Sequence, residues 1–326
     1  MKKTIRIILL LLVLVGAAFF IFRTPDTDRN AMIAKYSNES SRFLDDGNGG
    51  KIHYRDQGNK NGPAILLIHG SNSMLQTWEP LVALLGDKYR LISLDLYGHG
   101  LTGPNPTGAY DAETNIAEAV RVMDAVGVDR AYWVGNSMGG WLAWRAGLSV
   151  PDRVAGLVLI DASGAQVSQK VRPYLGARLA RSAIGRILLP EITPRFLVKK
   201  SLEENFARPE RLTENLVDRY WELLRFPGNR QAAVDRAETP REPGKWSEIG
   251  NLKMPVLLLW GERDRVIPVS HARAFAAAIP NSKLITYSDA GHLPMEETPE
   301  QVARDIDAWI DTVMTTAVGA EYRQPD

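Results

Sequence analysis

The sequence predicts an α/β protein with a doubly wound, mostly parallel sheet, an inserted helical cap and an N-terminal membrane anchor helix. Short apolar runs such as "AILLIHG" and "PVLLLWGERD" alternate with helix-length segments and end in glycine or in polar loops. Uninterrupted apolar strands of this kind suit a parallel sheet that is buried on both faces. One stretch, 164–248, holds helical patterns without strand-like runs. We expect this helical cap to lie over the carboxyl ends of the strands, where such sheets bind ligands.

Composition narrows the classes of function. The 326 residues suffice for one large α/β domain with an insertion, and 45% of them are hydrophobic. With a net charge of +1, the protein as a whole has no electrostatic attraction to nucleic acid, so we expect no nucleic-acid partner. The absence of cysteine excludes disulfides, thiolate nucleophiles and thiolate zinc sites. We expect neither a metal nor a cofactor.

The N-terminal residues 1–23 have the pattern of a membrane anchor or a signal segment. Three basic residues precede an uncharged apolar run at 7–22. Gly16 and Ala18 would fit a cleavage site, but the run continues beyond them as "FFIF", which favours an uncleaved anchor. Positive charge is denser before the run, so the rest of the chain is expected on the non-cytoplasmic side, periplasmic or extracellular. Cleavage would make the protein secreted.

The remaining elements follow in order along the chain. Residues 24–41 are polar and predict a tether with a short helix near Arg29 to Tyr36. The core is expected over 42–163 and 249–318, opening with a hairpin in "RFLDDGNGGKIHYRDQG", and residues 319–326 form a tail. Helical patterns within the core are expected near 75–86, 111–126, 138–148, 270–278 and 298–316.

Ser137 stands in a candidate nucleophile turn. The "GNSMG" motif places it between glycines, after the strand-like "AYWVG" and before the helix-like "MGGWLAWRAGLS". A sharp strand-to-helix turn exposes such a serine, and small neighbours allow the strand and helix to pack closely. The pattern alone arises by chance, and a serine that only caps the helix is the alternative.

A serine nucleophile needs a base, and a carboxylate usually orients that base. Of the five histidines only His292, in "DAGHLPMEETPE", follows the last predicted strand. Asp264, in "WGERDRVIP", follows the penultimate strand and is the preferred acid. Asp161, one strand earlier in "LVLIDAS", is the rival, and Glu262 is a further alternative.

The oxyanion of such a reaction requires two backbone N–H groups. The first is expected from Met138, immediately after the nucleophile. The second is expected from the loop after "LLIHG", with Ser71 preferred and Asn72 as the alternative. His69 leads into the same loop, where a histidine more often braces the backbone than takes part in catalysis.

Five motifs together, "HGSN", "DLYGHGLTG", "GNSMGG", "WGERDRVIP" and "GHLPMEETP", resemble the α/β-hydrolase superfamily, specifically its serine members with a helical cap. The resemblance covers about Arg42 to Val318. It implies Ser137 as nucleophile, His292 as base and Asp264 as orienting acid, with Ser71 and Met138 as oxyanion donors.

The resemblance leaves the reaction open. Esterase- or lipase-like hydrolysis of carboxylic esters, lactones included, is the preferred function, with a small-molecule apolar ester as the expected substrate. The cap and "GNSMGG" also resemble carbon–carbon hydrolases of the meta-cleavage-product type. Those enzymes typically have a tryptophan after the catalytic histidine, where this chain has Leu293. A non-catalytic binding protein with a hydrolase fold is the third alternative.

The cap carries a basic stretch between Lys170 and Lys200. Arg178, Arg181 and Arg186 alternate there with apolar residues at helical spacing. A helix packed on the core with a solvated arginine face is the simpler interpretation. A lid that contacts anionic headgroups beside the anchor is the second hypothesis.

Overall fold

A computed structural model describes residues 16–17, 19–167, 182–239 and 243–321 of the chain. Eight strands form one sheet in the order β1-β2-β4-β3-β5-β6-β7-β8. β1 and β2 pair antiparallel, β2 pairs antiparallel with β4, and the remaining neighbours are parallel. The predicted opening hairpin and mostly parallel sheet are both confirmed. The strands are β1 (Ser41–Asp45), β2 (Lys51–Gly58), β3 (Ala64–Ile68), β4 (Arg90–Leu94), β5 (Ala131–Asn136), β6 (Val154–Ile160), β7 (Val256–Gly261) and β8 (Ser282–Tyr287).

The central strands are apolar because both faces of the sheet are covered. Every residue of β5 and of β7 is buried, so no alternation of apolar and polar residues remains in these strands. One face packs against a cluster that includes Trp133, Leu142 and Phe275, and the other against a cluster that includes Leu81 and Ile306. Burying a side chain such as leucine contributes about 1.5–3 kcal/mol, so these two layers dominate the stability of the core.

The core helices occupy the predicted segments, with ends that differ by a few residues. The segment expected at 75–86 divides into a 3₁₀ turn, Leu75–Trp78, and a short α-helix. The last helix runs to Glu321, beyond its expected end at 316. Outside the cap the helices are α1 (Arg29–Tyr36), α2 (Glu79–Leu85), α3 (Ala112–Ala125), α4 (Met138–Ser149), α9 (Ser270–Ala278), α10 (Pro294–Glu297) and α11 (Pro299–Glu321).

The inserted segment between β6 and β7 is helical in the part that the structure describes. Four helices occupy it, α5 (Ala183–Leu188), α6 (Arg195–Asn205), α7 (Glu214–Leu224) and α8 (Asn229–Glu238), followed by a 3₁₀ helix over Pro243–Asn251. Side chains of α6, α7 and α8 line one cavity together with Ser137 and His292. The helices therefore lie above the carboxyl ends of the strands.

The N-terminal tether is docked on the inserted helices. The Arg23 guanidinium pairs with Glu191 at 2.7 Å, and the Thr24 N–H donates to the Glu191 carbonyl at 2.8 Å. Arg230 of α8, only 6% exposed, donates to the Thr24 carbonyl and to the Asp26 carboxylate. The predicted helix α1 forms over Arg29–Tyr36.

Residues 1–15 and Ala18 lie outside the described residues, and they include most of the apolar run at 7–22. Among the residues that the structure does describe, no helix has the length and apolar character needed to cross a membrane. The anchor stays a prediction. Arg178 and Arg181 of the basic cap stretch also lie outside the described residues. Arg186 pairs with Glu238 at 2.5 Å, with both side chains about half exposed.

Candidate active site

Ser137 occupies the turn between β5 and α4 in a strained backbone conformation. Its φ is 54° and its ψ is −113°, a region that a side-chain-bearing residue rarely adopts. Strain of this kind costs on the order of 1–3 kcal/mol and persists where the surroundings impose it. The turn presents the Ser137 side chain to the cavity beneath the cap.

Glycine is needed on both sides of this turn because strand and helix approach closely. A Cβ at Gly135 would collide with the backbone of Gly139 and Gly140, and a Cβ at Gly139 would collide with the Ile68 carbonyl. The small residues of "GNSMGG" are therefore a steric requirement, as the sequence predicts.

His292 and Asp264 form a hydrogen-bonded pair at the ends of β8 and β7. His292 Nδ1 lies 2.7 Å from Asp264 Oδ2, and both residues are nearly fully buried. Asp264 Oδ1 accepts from the Val266 and Ile267 amides at 2.6 and 2.8 Å, which fixes the carboxylate. Because Nδ1 is engaged, Nε2 is the ring nitrogen left for the cavity that Ser137 also lines.

The loop that carries His292 is held from two directions. The His292 N–H donates to the Asn205 carbonyl at 2.8 Å, and its carbonyl accepts from Asn136 Nδ2 at 3.0 Å. Asn136 directly precedes Ser137, and Asn205 ends the cap helix α6. The position of the imidazole is thus tied both to the serine turn and to the cap.

Glu297 adds a second link between this loop and the cap. One of its oxygens accepts from the Gly291 amide at 2.7 Å, and the other accepts from the Ala207 and Arg208 amides at 2.7 and 2.8 Å. The residue is fully buried, and burial raises the pKa of its carboxyl group.

The candidate oxyanion loop lies beside the serine. Ser71, Asn72 and Met138 all line the same cavity as Ser137, and the Ser71 hydroxyl donates to Met138 Sδ at 3.2 Å. Met138 is the first residue of α4, where backbone N–H groups have no partner within the helix. Asn72 has a φ of 57°, so the loop is sharply turned at this position.

The structure separates the three candidate acids. Glu262 is exposed and accepts from Thr286 Oγ1, away from the imidazole. Asp161, at the end of β6, is fully buried and has a φ of 44°. The side-chain oxygen and nitrogen atoms with which Asp161, Asp264 and His292 could bind a metal ion lie within 4.8 Å of one another. Two carboxyls and an imidazole also suit a cation, but Asp264 already pairs with His292, and we assign no metal to this cluster.

The other histidines fall into two groups. His69 braces its loop, since Nδ1 donates to the Gly70 carbonyl and Nε2 accepts from the Leu96 amide. His53 pairs with Asp95 at 2.7 Å in the buried interior, and His99 packs edge-on against His69. His271 differs, because it lines the cavity.

His271 and Arg236 are among the polar cavity residues that were not predicted from the sequence. His271, in α9, is 8% exposed and has no hydrogen-bond partner on either ring nitrogen, and burial lowers the pKa of its imidazole. Arg236 of α8 donates to Asn72 Oδ1 at 3.0 Å and to the Gly98 carbonyl at 2.9 Å. It thereby joins the cap to the candidate oxyanion loop. Neither residue belongs to a motif, so no local signal marks it.

The cavity has a volume of about 530 Å³. Its walls are largely apolar on the cap side, where Leu189, Leu197 and Leu224 contribute, and on the core side, where Met138 and Ile267 contribute. Such a site suits a small molecule with an apolar body and few polar groups.

The chain is similar to known proteins in sequence and in structure. The family model described as "Alpha/beta hydrolase family" matches residues 65–305. An uncharacterized hydrolase of Bacillus subtilis, YugF, is 26% identical over 278 residues, which cover 81% of this chain and 95% of the relative. A 2-hydroxy-6-oxononadienedioate/2-hydroxy-6-oxononatrienedioate hydrolase of Burkholderia vietnamiensis is 29% identical, with 83% of this chain and 93% of the relative covered. The crystal structure of a bacterial membrane phospholipase A superimposes with a TM-score of 0.74 and 25% identity, covering 96% of this chain and 99% of the other.

Proposed function

Because the chain belongs to the alpha/beta hydrolase family, we propose that it is a serine hydrolase that cleaves carboxylic esters through an acyl-enzyme intermediate. The observation that carries the proposal is the His292–Asp264 pair, whose histidine lines the same cavity as a strained, glycine-flanked serine. Neither a serine in a turn nor a paired histidine would suffice alone. Their convergence on one cavity matches the roles of nucleophile, base and orienting acid.

In the proposed first half-reaction, Ser137 Oγ attacks the ester carbonyl while His292 Nε2 accepts the hydroxyl proton. The Asp264 carboxylate stabilises the imidazolium that forms. The Met138 N–H and a second amide, from Ser71 or alternatively Asn72, donate to the oxyanion. Collapse of the intermediate breaks the ester C–O bond, and His292 returns the proton to the leaving alcohol.

In the second half-reaction, water attacks the acyl-enzyme with His292 again as base, and the carboxylic acid leaves as Ser137 regains its proton. The apolar walls of the cavity support an ester with an apolar acyl or alcohol part.

A chain-length series of p-nitrophenyl esters tests this function. We expect turnover that depends on Ser137 and covalent labelling of Ser137 by a fluorophosphonate. Failure of both turnover and labelling would favour the third alternative, a non-catalytic binding protein.

A carbon–carbon hydrolase of the meta-cleavage-product type is the second candidate. The observation that favours it is Arg236, a cationic residue among those that line the cavity. A cation in this position suits a substrate with a carboxylate, and the Burkholderia relative is named for a dienedioate substrate. Labelling of Ser137 without ester turnover, together with cleavage of a vinylogous diketo acid, would support this alternative.

We also propose that the N-terminal apolar segment anchors the enzyme in a membrane, with the catalytic part on the non-cytoplasmic side. The charge pattern of the first residues and the likeness to a membrane phospholipase A support this location. An anchored enzyme should remain with the membrane fraction after alkaline carbonate washing, and added protease should reach its catalytic part without membrane lysis. Release into the medium would indicate a cleaved segment instead.

A further inference from the structure

Asp161 is a buried candidate acid that the proposed mechanism leaves without a role. It is fully buried at the end of β6, and its Oδ1 accepts from the Gly261 amide at 3.1 Å. Asp264 follows the neighbouring strand β7, so the sheet brings the two carboxyl groups side by side. One carboxyl oxygen of each aspartate and one ring nitrogen of His292 lie within 4.8 Å of one another.

Two carboxylates at this separation inside a protein do not both ionise readily, since burial and mutual repulsion oppose the second charge. Burial and the neighbouring Asp264 raise the pKa of Asp161 well above its usual value. Asp264 is the better site for the charge, because Val266 and Ile267 donate amide N–H groups to its Oδ1 and His292 donates to its Oδ2.

We propose that the acid of the candidate triad is a pair of carboxyl groups, Asp161 and Asp264, that share one negative charge and one proton. In the resting pair Asp161 holds the proton and turns it toward Asp264, which holds the charge and orients His292. Asp161 is thus a positioning residue and a reserve acid. When Asp264 is lost, Asp161 releases its proton to solvent and supplies the charge for the imidazolium. The inference rests on the proposed serine hydrolase function.

The groups around the pair agree with a single negative charge. The titratable side chains that act on it are His292 from the loop after β8, His271 from α9, Tyr287 from the end of β8 and Glu297 from α10. Of these, His271 has its pKa lowered by burial, against the opposing effect of the Asp264 charge, and burial raises the pKa of Glu297. Of these four groups, His292 is the one that brings a positive charge to the pair, as the imidazolium formed during catalysis.

A double-mutant cycle tests the proposal on the full-length protein, with p-nitrophenyl ester hydrolysis as the readout. We expect Asp161→Asn to lower kcat/KM less than about threefold, since the amide still donates to Asp264. Asp264→Ala should lower it roughly 10²-fold, because Asp161 supplies the missing charge. The double variant should lose roughly 10⁴-fold, as when the acid of a serine triad is removed entirely. A double variant whose loss equals the product of the two single losses would overturn the proposal.

Stability against pH gives a readout that does not depend on catalysis. A carboxyl whose pKa is raised by folding contributes stability that is present below its unfolded pKa and lost as pH rises through the folded pKa. Asp161→Asn should therefore gain stability over the parent protein as pH rises above about 4, the pKa of an unfolded aspartate. The exposed Asp129→Asn control should show no such trend. A parallel pH dependence of all three proteins would contradict a proton held on Asp161. If every variant, and the parent protein, lacks ester turnover while the stability trend holds, the proposed function fails and the shared proton stands.

Discussion

The core side and the cap side of the cavity are held by different interactions. On the core side, Asp264 and His292 are 5% and 6% exposed and are fixed by hydrogen bonds to backbone groups. On the outer surface of the cap, Ile184 and Ile187 of α5 are more than 70% exposed. Exposed ion pairs such as Arg186–Glu238 and Lys199–Glu214 connect the cap helices.

This difference separates two tasks. Reacting groups have to be held within a fraction of an ångström, which requires buried and fully partnered side chains. A wall that selects among apolar substrates tolerates looser packing, because contact with a hydrophobic chain has little directionality. We therefore expect substitutions on the core side to cost activity or stability steeply, and substitutions on the cap surface to cost little.

The largest expected effect is on the chemistry itself. Ser137→Ala should lower kcat/KM for p-nitrophenyl esters by more than about 10³-fold, with little change in thermal stability. The matched control is Ser149→Ala at the far end of α4, where the hydroxyl donates only to the Arg145 carbonyl. Equal activity of the two variants would place the nucleophile elsewhere.

The next effect concerns the link between the His292 loop and the cap. Glu297→Ala leaves three backbone amides without their acceptor, and we expect a loss of about 3 kcal/mol in the free energy of unfolding. It should also lower kcat/KM about tenfold, because the imidazole is less well placed. Denaturant unfolding and steady-state kinetics measure the two effects. The exposed Glu300→Ala variant is the control, and an unchanged midpoint for Glu297→Ala would argue against the link.

Replacing a buried histidine with leucine should stabilise the protein at one position and destabilise it at another. His271→Leu removes two unpartnered ring nitrogens, and we expect it to raise the free energy of unfolding by about 1–2 kcal/mol. It should also shift ester preference toward more apolar chains. His53→Leu leaves the fully buried Asp95 without its 2.7 Å partner and should destabilise the protein by about 3 kcal/mol. Thermal melts of both variants measure these opposite changes in stability. A lower melting temperature for both variants would contradict the prediction.

The smallest effect is expected on the cap surface. Arg186→Ala removes one half-exposed ion pair with Glu238, and such pairs contribute about 0–1 kcal/mol. We expect unchanged kinetics on soluble esters and a melting temperature within about 2 °C of the parent protein. A loss as large as that of Glu297→Ala would show that the cap is held more tightly than its contacts indicate.

Much of the fold was predictable because local patterns of apolar and polar residues determine it. Uninterrupted apolar runs predicted the parallel strands, and α9 begins and ends where its pattern does, at Ser270 and Ala278. The convergence of Ser137, His292 and Asp264 followed from their common place at carboxyl ends of strands.

Other features depend on placement between distant segments, which no local pattern encodes. Arg236 reaches Asn72 only because α8 lies across the loop after β3. The contact between Asp161 and Asp264 follows from the pairing of β6 with β7, across the whole cap insertion. From the sequence alone these two aspartates are rivals for one role, because no local pattern places them side by side.

The docked N-terminal segment connects the cap directly to the part of the chain that precedes Arg23. Arg230 is nearly buried, and its guanidinium bonds to the Thr24 carbonyl and to Asp26, while Thr24 is also bonded to the Glu191 carbonyl. A pull on the chain ahead of Arg23 is therefore transmitted to α8 and to the turn after α5 before it reaches the sheet. A protein shortened to begin after Asp28 would carry an intact serine turn beneath a cap whose buried arginine has lost its partners.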